Sequence, residues 1–335
     1  MSNSYQPPAP AEFAAALALH GRTLVADGHC DSILDVVAGK RSLTEAGSSG
    51  HLDFPRARRG GLGLQVFTAW PSPEHYRFPA RRTFELLEHL LRQFEAAPEQ
   101  VRLCRSAAEI DAAVGAGRLA ALLNVEGGEV LEGSLDVLHI LYRLGVRVLQ
   151  PVWNYRNDLA DGLEHESGSG LTDFGRSVVR EMNALGMALD LSHLPPAGFY
   201  QVLELSTQPV LFTHGNCRAL YNHRRNLTDE QIRALAAQGG LFGISFVSGF
   251  MGREGVHVGT VADHIDHVVQ LLGNCDHVAY GSDFDGTDTL PVGLDDVTQL
   301  PNLTAELLRR GYGEAGLRQI LGGNYRRIFA QVLGG

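Results

Sequence analysis

The sequence predicts an α/β fold, a single-domain (β/α)8 barrel of the TIM type. Eight short apolar runs recur along the chain, and amphipathic helical patterns separate most of them. Strands that are apolar on both faces and alternate with helices are typical of a parallel sheet covered by helices. Eight such units in about 300 residues fit a closed barrel. A doubly wound sheet is the structural alternative, but no G-x-G-x-x-G motif follows the first run.

The elements can be placed in order from their composition and their ends. The predicted strands are residues 24–26, 62–69, 119–125, 146–152, 187–191, 209–213, 241–246 and 277–281. Three helices can be recognised. One runs from the Thr172 cap to Gly186, and a second runs from the Thr228–Gln231 capping box to Gly239. The third has an apolar face formed by Ile265, Val268, Val269 and Leu272 and ends at Gly273. Residues 71–79 and 164–170 are predicted loops over one face. Residues 1–20 are predicted to form an N-terminal extension with a short helix at 14–19, followed by the barrel at 21–335.

The composition of the chain limits the partners that it could bind and indicates its cellular compartment. A formal net charge of −10 argues against nucleic acid or an anionic membrane as a partner. The four cysteines lie far apart without a C-x-x-C pair, which predicts reduced thiols. The sequence contains no recognisable signal peptide and no apolar stretch long enough to span a membrane. We therefore expect a cytoplasmic protein.

Residues suited to metal binding follow five of the predicted strands. They are His29 and Asp31, Glu126, His193, His214 and Asp283, and Trp153 with Asn154 follows a sixth strand. Because the carboxyl ends of barrel strands meet at one rim, we expect these side chains to converge. Three histidines and three carboxylates are ligands that suit a divalent transition metal.

The same residues predict two divalent ions with a bridging carboxylate. The only lysine, Lys40, lies in a loop after the first strand, so a carbamylated lysine is not available as the bridge. Glu126 is the natural alternative. Two dications with Asp31, Glu126 and a bridging hydroxide leave one positive charge, which would stabilise an oxyanion in acyl transfer. Asp283, if it is not a ligand, is placed to take the proton of the water.

Seven motifs resemble those of the membrane (renal) dipeptidase family of zinc peptidases, within the amidohydrolase-type barrels. They run in the family order over nearly the whole chain. The motifs are Asp27-Gly28-His29-Cys30-Asp31, Glu126-Gly127-Gly128, Asp190-Leu191-Ser192-His193, Thr213-His214, Arg224-Arg225-Asn226, Gly281-Ser282-Asp283-Phe284-Asp285-Gly286 and Gly322-Gly323-Asn324.

The resemblance implies a role for each matching residue. One zinc would be held by His29, Asp31 and Glu126, and the other by Glu126, His193 and His214. Arg225 would receive the terminal carboxylate of the substrate, and Asp283 would handle the proton. The chemistry of a guanidinium group independently supports this role, because it can bind a carboxylate through two parallel hydrogen bonds.

The chain departs from the family pattern at Trp153. The renal enzymes carry a substrate-binding histidine at this position, and an indole cannot polarise a carbonyl as an imidazole can. Trp153 is therefore expected to form a wall of the pocket, or Asn154 or Tyr155 takes over the contact with the substrate.

Other thiol and imidazole groups near the motifs are weaker candidates. Cys30 stands where the family often has Asn, and it is expected to be a small buried thiol. His264 and His267 are expected on the solvated face of a helix, whereas His223 can line the pocket.

These patterns together predict a cytoplasmic binuclear zinc dipeptidase that uses a metal-bridging hydroxide. The substrate would be a small dipeptide-like molecule, and a homodimer is compatible with the sequence. A related amidohydrolase acting on a non-peptide amide, an N-acyl amino acid or a lactone is the first alternative, favoured by Trp153. A barrel that binds a metal or ligand without turnover is the second, and the complete set of ligands with Asp283 counts against it.

Overall fold

A parallel sheet that curls into a barrel forms the centre of the protein. The computed structural model describes residues 5–334, so residues 1–4 of the predicted extension and Gly335 lie outside it. The strands in this range are β1 (Ala26–Cys30), β2 (Leu64–Ala69), β3 (Val101–Leu103), β4 (Leu119–Glu126), β5 (Val146–Gln150), β6 (Ala188–Leu189), β7 (Leu211–Gly215), β8 (Leu241–Ile244) and β9 (Val278–Tyr280). Their order is β6-β5-β4-β2-β1-β9-β8-β7, and all neighbours pair in parallel. The predicted barrel is confirmed.

Helices cover the outside of the sheet. The α-helices are α1 (Pro10–His20), α2 (Ile33–Val37), α3 (Phe54–Gly60), α4 (Pro79–Ala96), α5 (Ala107–Gly115), α6 (Leu135–Leu144), α7 (Asp173–Leu185), α8 (Pro196–Leu205), α9 (Asp229–Ala237), α10 (Val258–Leu272), α11 (Leu300–Arg309), α12 (Glu314–Arg318) and α13 (Asn324–Val332). Short 3-10 turns occur at Pro73–His75, Gly128–Leu131, Ser248–Phe250 and Val297–Gln299, and a π turn at Gln319–Gly323. The predicted caps at Thr172 and Thr228 both form. In residues 5–334 no helix is both long and apolar enough to cross a membrane.

One predicted strand was misplaced, and one strand was missed. The first strand is Ala26–Cys30 and not 24–26, because the Asp27 carboxylate is satisfied inside the sheet by the N–H and the hydroxyl of Ser282, both at 2.6 Å. A buried polar residue with such partners is compatible with a strand. Strand β3 was missed because it has only three residues, of which Arg102 is exposed. It pairs with the first half of β4, outside the barrel ring.

The barrel interior is filled by apolar side chains and closed at its amino end by α13. One buried cluster collects inward residues from the strands, such as Val66 and Leu122, and continues into Phe329. Tyr325 on α13 is fully buried, and its hydroxyl donates to the carbonyl of Tyr280 at 2.9 Å. The amino end of the barrel is therefore sealed, and the carboxyl end alone carries the polar rim.

A narrow seam between β6 and β7 closes the ring. A single parallel bridge joins Asp190 to Leu211, and the N–H of Leu191 donates to the Leu211 carbonyl at 2.8 Å. The side chain of Asp190 supplements this pairing, since its Oδ1 accepts from the N–H of Thr213 at 2.9 Å. Side-chain hydrogen bonds thus replace part of the missing strand ladder at this point.

His264 is buried, so its predicted place on a solvated helix face was wrong. The residue shares a face of α10 with Val261, Ile265 and Val268, and this face packs inward. The N–H of Cys217 donates to its Nδ1 at 3.0 Å. His267 is half-buried, and its Nε2 lies 2.7 Å from Oδ1 of Asp229. The four cysteines are free thiols, and Cys30 is fully buried, as predicted.

Candidate active site

A cavity of about 330 Å³ opens at the carboxyl ends of the strands. Every site residue predicted from the sequence lies in it or directly beneath it. The lining includes Asp31, Glu126, Trp153, Asn154, His193, His214, Arg225 and Asp283. His29 is fully buried and its ring packs 4.0 Å from that of His214, centroid to centroid. Three of these residues, His29, Glu126 and His214, belong to the strands themselves and not to the loops after them.

The Glu126 carboxylate lies between two groups of imidazole nitrogens. Its Oε1 is 2.8 Å from Nε2 of His193, and its Oε2 is 3.2 Å from Nε2 of His29. The Nε2 atoms of His193 and His214 are 3.1 Å apart. Each oxygen of this one carboxylate therefore faces a different set of potential metal ligands.

Hydrogen bonds fix which nitrogen of His193 and His214 carries the proton. The amide oxygen of Asn154 accepts from Nδ1 of His193 at 2.7 Å. The Thr213 hydroxyl donates to Asp190, so its oxygen accepts from Nδ1 of His214 at 2.9 Å. Both rings therefore direct a lone pair, not a proton, from Nε2 into the cavity. Two lone pairs at this separation repel each other unless a cation lies between them, and metal-bound histidines are usually held in this way.

A second set of donor atoms surrounds His29. Its Nε2 lies 3.5 Å from Oδ2 of Asp31 and 3.9 Å from Oδ1 of Asp283. Within residues 5–334, neither Nε2 of His29 nor Oδ1 of Asp31 has a hydrogen-bond partner, although both atoms are buried. Ligand atoms of His29, Asp31 and Asp283 lie within 4.8 Å of one another, as do those of His29, Glu126 and His214. Asp283 is thus close enough to act either as a ligand or as a proton carrier.

Burial shapes the charge of the cavity. It raises the pKa of Glu126 to about 7 and that of Asp283 to about 6, against the pull of the neighbouring His29 imidazole. It also lowers the pKa of His193 and His214 well below the ordinary value, which keeps both rings neutral. Buried carboxylates beside neutral imidazoles form the electrostatic setting that a divalent cation satisfies.

The backbone is strained where two site residues are held. His193 has a φ of 71° and Asp283 a φ of 62°, the left-handed region that side-chain-bearing residues rarely adopt. Such strain costs about 1–3 kcal/mol per residue and is concentrated at functional sites. Close by, Gly286 leaves no room for a Cβ, which would overlap the carboxylates of Asp31 and Asp283. Only glycine lets these two acids approach each other here.

Arg225 is a buried cation at the edge of the cavity. Its side chain packs over the ring of Phe250 at 5.4 Å, and its Nη2 donates to the carbonyl of His214 at 3.1 Å. Its Nη1 is buried without an acceptor among the described residues. Burial lowers its pKa to about 10, so the guanidinium remains charged at neutral pH. A charged donor that lacks a protein partner is suited to an anionic group of a substrate.

Comparison with known proteins decides the family. Residues 13–333 match the family model "Membrane dipeptidase (Peptidase family M19)". The chain belongs to this family. Over 84% of its length it is 35% identical to dipeptidase verJ of Clonostachys rogersoniana, of which 76% is covered, and 36% identical to dipeptidase 3 of Rattus norvegicus, of which only 59% is covered.

A solved structure of a metallopeptidase has the same fold. A metallopeptidase from Rhodobacter sphaeroides, liganded with a phosphinate mimic of the dipeptide L-Ala-D-Ala, matches 92% of the chain and 99% of its own. The two share 32% identity with a TM-score of 0.87. The protein is accordingly a metallo-dipeptidase, and the resemblance inferred from its motifs is confirmed.

Trp153 lines the cavity of this M19 peptidase as part of an aromatic wall. Its ring lies 4.9 Å from that of Trp70 and 5.6 Å from that of Tyr155, centroid to centroid. Asn154 faces His193, so its amide oxygen is engaged with a candidate ligand and is not free for substrate. This orienting contact was not predicted from the sequence, which suggested a substrate-binding role for Asn154.

Several residues that shape the site were missed in the sequence. Trp70 directly follows β2, so the rule that strand ends converge would have found it. Phe250 lies in a loop turn, and no motif marks it. Asp190 and Thr213 were noted only as parts of motifs, because their hydrogen bonds to each other and to His214 depend on the closing of the barrel.

Proposed function

We propose that this metallo-dipeptidase uses two divalent ions, with zinc as the expected metal, and that Glu126 bridges them. The observation that carries the proposal is the division of the Glu126 oxygens between His29 on one side and His193 on the other. A carboxylate placed between two ligand sets can serve both sites with one negative charge. A single ion would leave one of the two oxygens without a matching partner.

The donor atoms can be divided between the two ions. His29, Asp31 and Glu126 would hold one ion, and Glu126, His193 and His214 would hold the other. When bound, such ions polarise a carbonyl oxygen and lower the pKa of a nearby water molecule towards neutrality. The unpartnered Nε2 of His29 and Oδ1 of Asp31 are the buried atoms that this assignment satisfies.

Asp283 is the residue that we propose to move the proton. Its carboxylate lines the cavity next to the candidate ligands but lies farther from His29 Nε2 than the carboxylates of Asp31 and Glu126 do. It would take a proton from the attacking water and return it to the amine nitrogen as the C–N bond breaks. This transfer leaves a free amino group on one product and a carboxylate on the other.

Arg225 selects a substrate with a free terminal carboxylate. Arg225 lines a cavity of about 330 Å³, which is at the small end of ligand pockets, and its Nη1 has no acceptor among the described residues. A dipeptide presents its carboxylate one residue away from the scissile amide, so binding of this group by Arg225 orients the bond. The Rhodobacter sphaeroides relative binds a mimic of an L,D-dipeptide, and we extend this stereochemistry to the present protein as a proposal.

Trp153 favours one alternative function. An indole wall in place of a carbonyl-polarising imidazole suits an apolar acyl group, as in an N-acyl amino acid, better than a charged or strongly polar residue. The terminal carboxylate of such a substrate would still reach Arg225. A panel that contains L,L-dipeptides, L,D-dipeptides and N-acyl amino acids would distinguish these substrate classes by kcat/KM.

Metal content and one variant test the core of the proposal. Protein purified without chelator should contain two equivalents of divalent metal per chain, and Glu126→Gln should lose metal and dipeptide hydrolysis together. Glu129→Gln is a matched control, because Glu129 is a nearby buried carboxylate outside both ligand sets. Full activity in the metal-free protein, or a Glu126→Gln variant that keeps both ions, would contradict the bridging role.

A further inference from the structure

A second and larger cavity lies at the opposite end of the barrel from the active site. Its volume is about 810 Å³, within the usual range of small-molecule pockets. It is formed where the chain enters β1, β2 and β4, since residues 22–24, 61–63 and 117–119 line it, together with α3 and α5. The amino end of the barrel beside it is sealed by Tyr325 and its neighbours, so the two cavities are separate.

The charge of this second cavity is opposite to that of the whole protein. The chain has 38 acidic and 28 basic residues, excluding histidine. In the part of the chain that the structure describes, four arginines and no acidic residue line the cavity, and the arginines are Arg22, Arg58, Arg59 and Arg118. A basic patch of this kind in an acidic protein gives a local attraction for anions.

Two of these arginines have no carboxylate partner within the described residues. Arg22 pairs with Glu314 at 3.1 Å and Arg118 lies 3.7 Å from Glu99. By contrast, neither Arg58 nor Arg59 comes within ion-pair distance of a carboxylate in residues 5–334. Both belong to the last turn of α3 and are exposed, so their guanidinium groups are available without the loss of an existing ion pair.

The remaining lining is mainly apolar. Leu24, Phe54, Leu62, Val114 and Leu119 contribute side chains to the cavity. An inorganic anion would contact the arginines but would leave this surface wet, whereas a neutral apolar molecule would leave the arginines unpaired. A ligand that combines one anionic group with an apolar body satisfies both parts.

We propose that this basic cavity is a second binding site, which takes a small organic anion with an apolar body, in the class of medium-chain or aromatic carboxylates. The anionic group pairs with Arg58 and Arg59, and the apolar body rests on Leu24, Leu62 and Val114. The site is independent of the proposed metal chemistry, because none of its lining residues belongs to the catalytic cavity.

Titration of the metal-loaded enzyme with decanoate tests the proposal. Binding is followed by displacement of 8-anilinonaphthalene-1-sulfonate, an amphipathic anion that fluoresces in apolar surroundings. We expect saturable binding of one equivalent, which weakens in about 0.5 M NaCl because exposed ion pairs are screened. Decanol, which has the chain without the charge, should displace the dye at least about tenfold less well.

Two variants remove the two halves of the site separately. Arg58→Gln/Arg59→Gln should weaken decanoate binding by at least about fivefold, and Val114→Phe should do so by filling the apolar part. Both should keep the dipeptide kcat/KM of the wild type. Arg180→Gln/Arg233→Gln is the matched control, since these exposed arginines lie on α7 and α9, away from the cavity.

Three outcomes would overturn the proposal. The first is equal binding by the wild type and by Arg58→Gln/Arg59→Gln. The second is that decanoate competes with the dipeptide while both cavity variants keep the wild-type affinity for decanoate. This result would place the anion at the metal centre. The third is binding to vesicles of anionic lipid without any binding of monomeric decanoate, which would indicate a membrane contact instead of a small-molecule site.

Discussion

Asn154 holds His193 through a hydrogen bond of 2.7 Å between its amide oxygen and Nδ1 of the ring. Removal of this acceptor frees the ring to rotate and to change tautomer, so Asn154→Ala should weaken binding of one ion by about 10–100-fold. Asn154→Asp keeps an acceptor at this position and should recover most of the affinity. Metal content after dialysis against a graded chelator buffer measures the change. Equal metal retention in all three proteins would show that the hydrogen bond is dispensable.

Asp283→Asn should separate proton transfer from metal binding. The change keeps the size of the side chain and removes its ability to carry a proton, so both ions should stay while kcat falls by about 10²–10⁴-fold. Asp31→Asn provides the contrast, because loss of a ligand charge should empty one site. If Asp283→Asn also loses an ion, Asp283 is a ligand, as its distance to His29 permits.

Arg225→Ala should raise KM for a dipeptide by about tenfold or more. A charge-assisted pair between the guanidinium and the terminal carboxylate contributes about 1.5–3 kcal/mol. The same dipeptide with an amidated C-terminus lacks the anion, so its kcat/KM should change little. Arg233→Ala is the control, since Arg233 is an exposed arginine of α9 that does not line the cavity. Equal losses on both substrates would assign Arg225 a structural role.

His264 should make the fold less stable in acid. Its folded-state pKa is lowered by burial to about 4 from an ordinary value of 6.5. The neutral ring is therefore favoured by folding, and this contribution is complete above pH 6.5 and lost as the pH falls towards 4. The loss amounts to about 3 kcal/mol in the free energy of unfolding.

Urea unfolding at several pH values checks this prediction. His264→Asn retains an acceptor for the Cys217 N–H but does not titrate, so its stability should fall less between pH 6.5 and 4 than that of the wild type. His267→Asn is the control, because His267 is more exposed and pairs with Asp229. Identical slopes for the wild type and His264→Asn would mean that the ring does not titrate as proposed.

The sequence predicted the barrel and the members of the site because both depend on local signals. Buried parallel strands are almost entirely apolar, as at residues 119–125, where Asn124 is the one polar residue, and a charged residue such as Glu126 then marks the strand end. The same rule failed for β1, where Asp27 is polar but satisfied by Ser282, a residue distant in the chain. Polar residues inside a strand can be recognised only when their partners are known.

The hydrogen bonds that orient the candidate ligands could not be predicted from the sequence, because their partners are also distant in the chain. Asn154 follows β5 and His193 follows β6, and nothing in either segment specifies that the amide turns to the ring and not to the substrate. The apolar residues of α10 predicted which face of the helix is buried. His264 was nevertheless predicted to lie on the exposed face, because its side chain is polar. Its acceptor role for Cys217 becomes evident only in the folded protein.

The seam between β6 and β7 lies between two of the proposed metal ligands. His193 follows one side of the seam and His214 belongs to the other, so an ion held by both would fasten the two edges that a single strand bridge joins. After chelation, the amides of Leu191 and Thr213 should exchange with deuterium faster than those of β4, which is paired on both sides. Bound metal would then stabilise the closure of the barrel. In a cell short of metal, the β6–β7 seam would open more often and would be the first site of proteolysis.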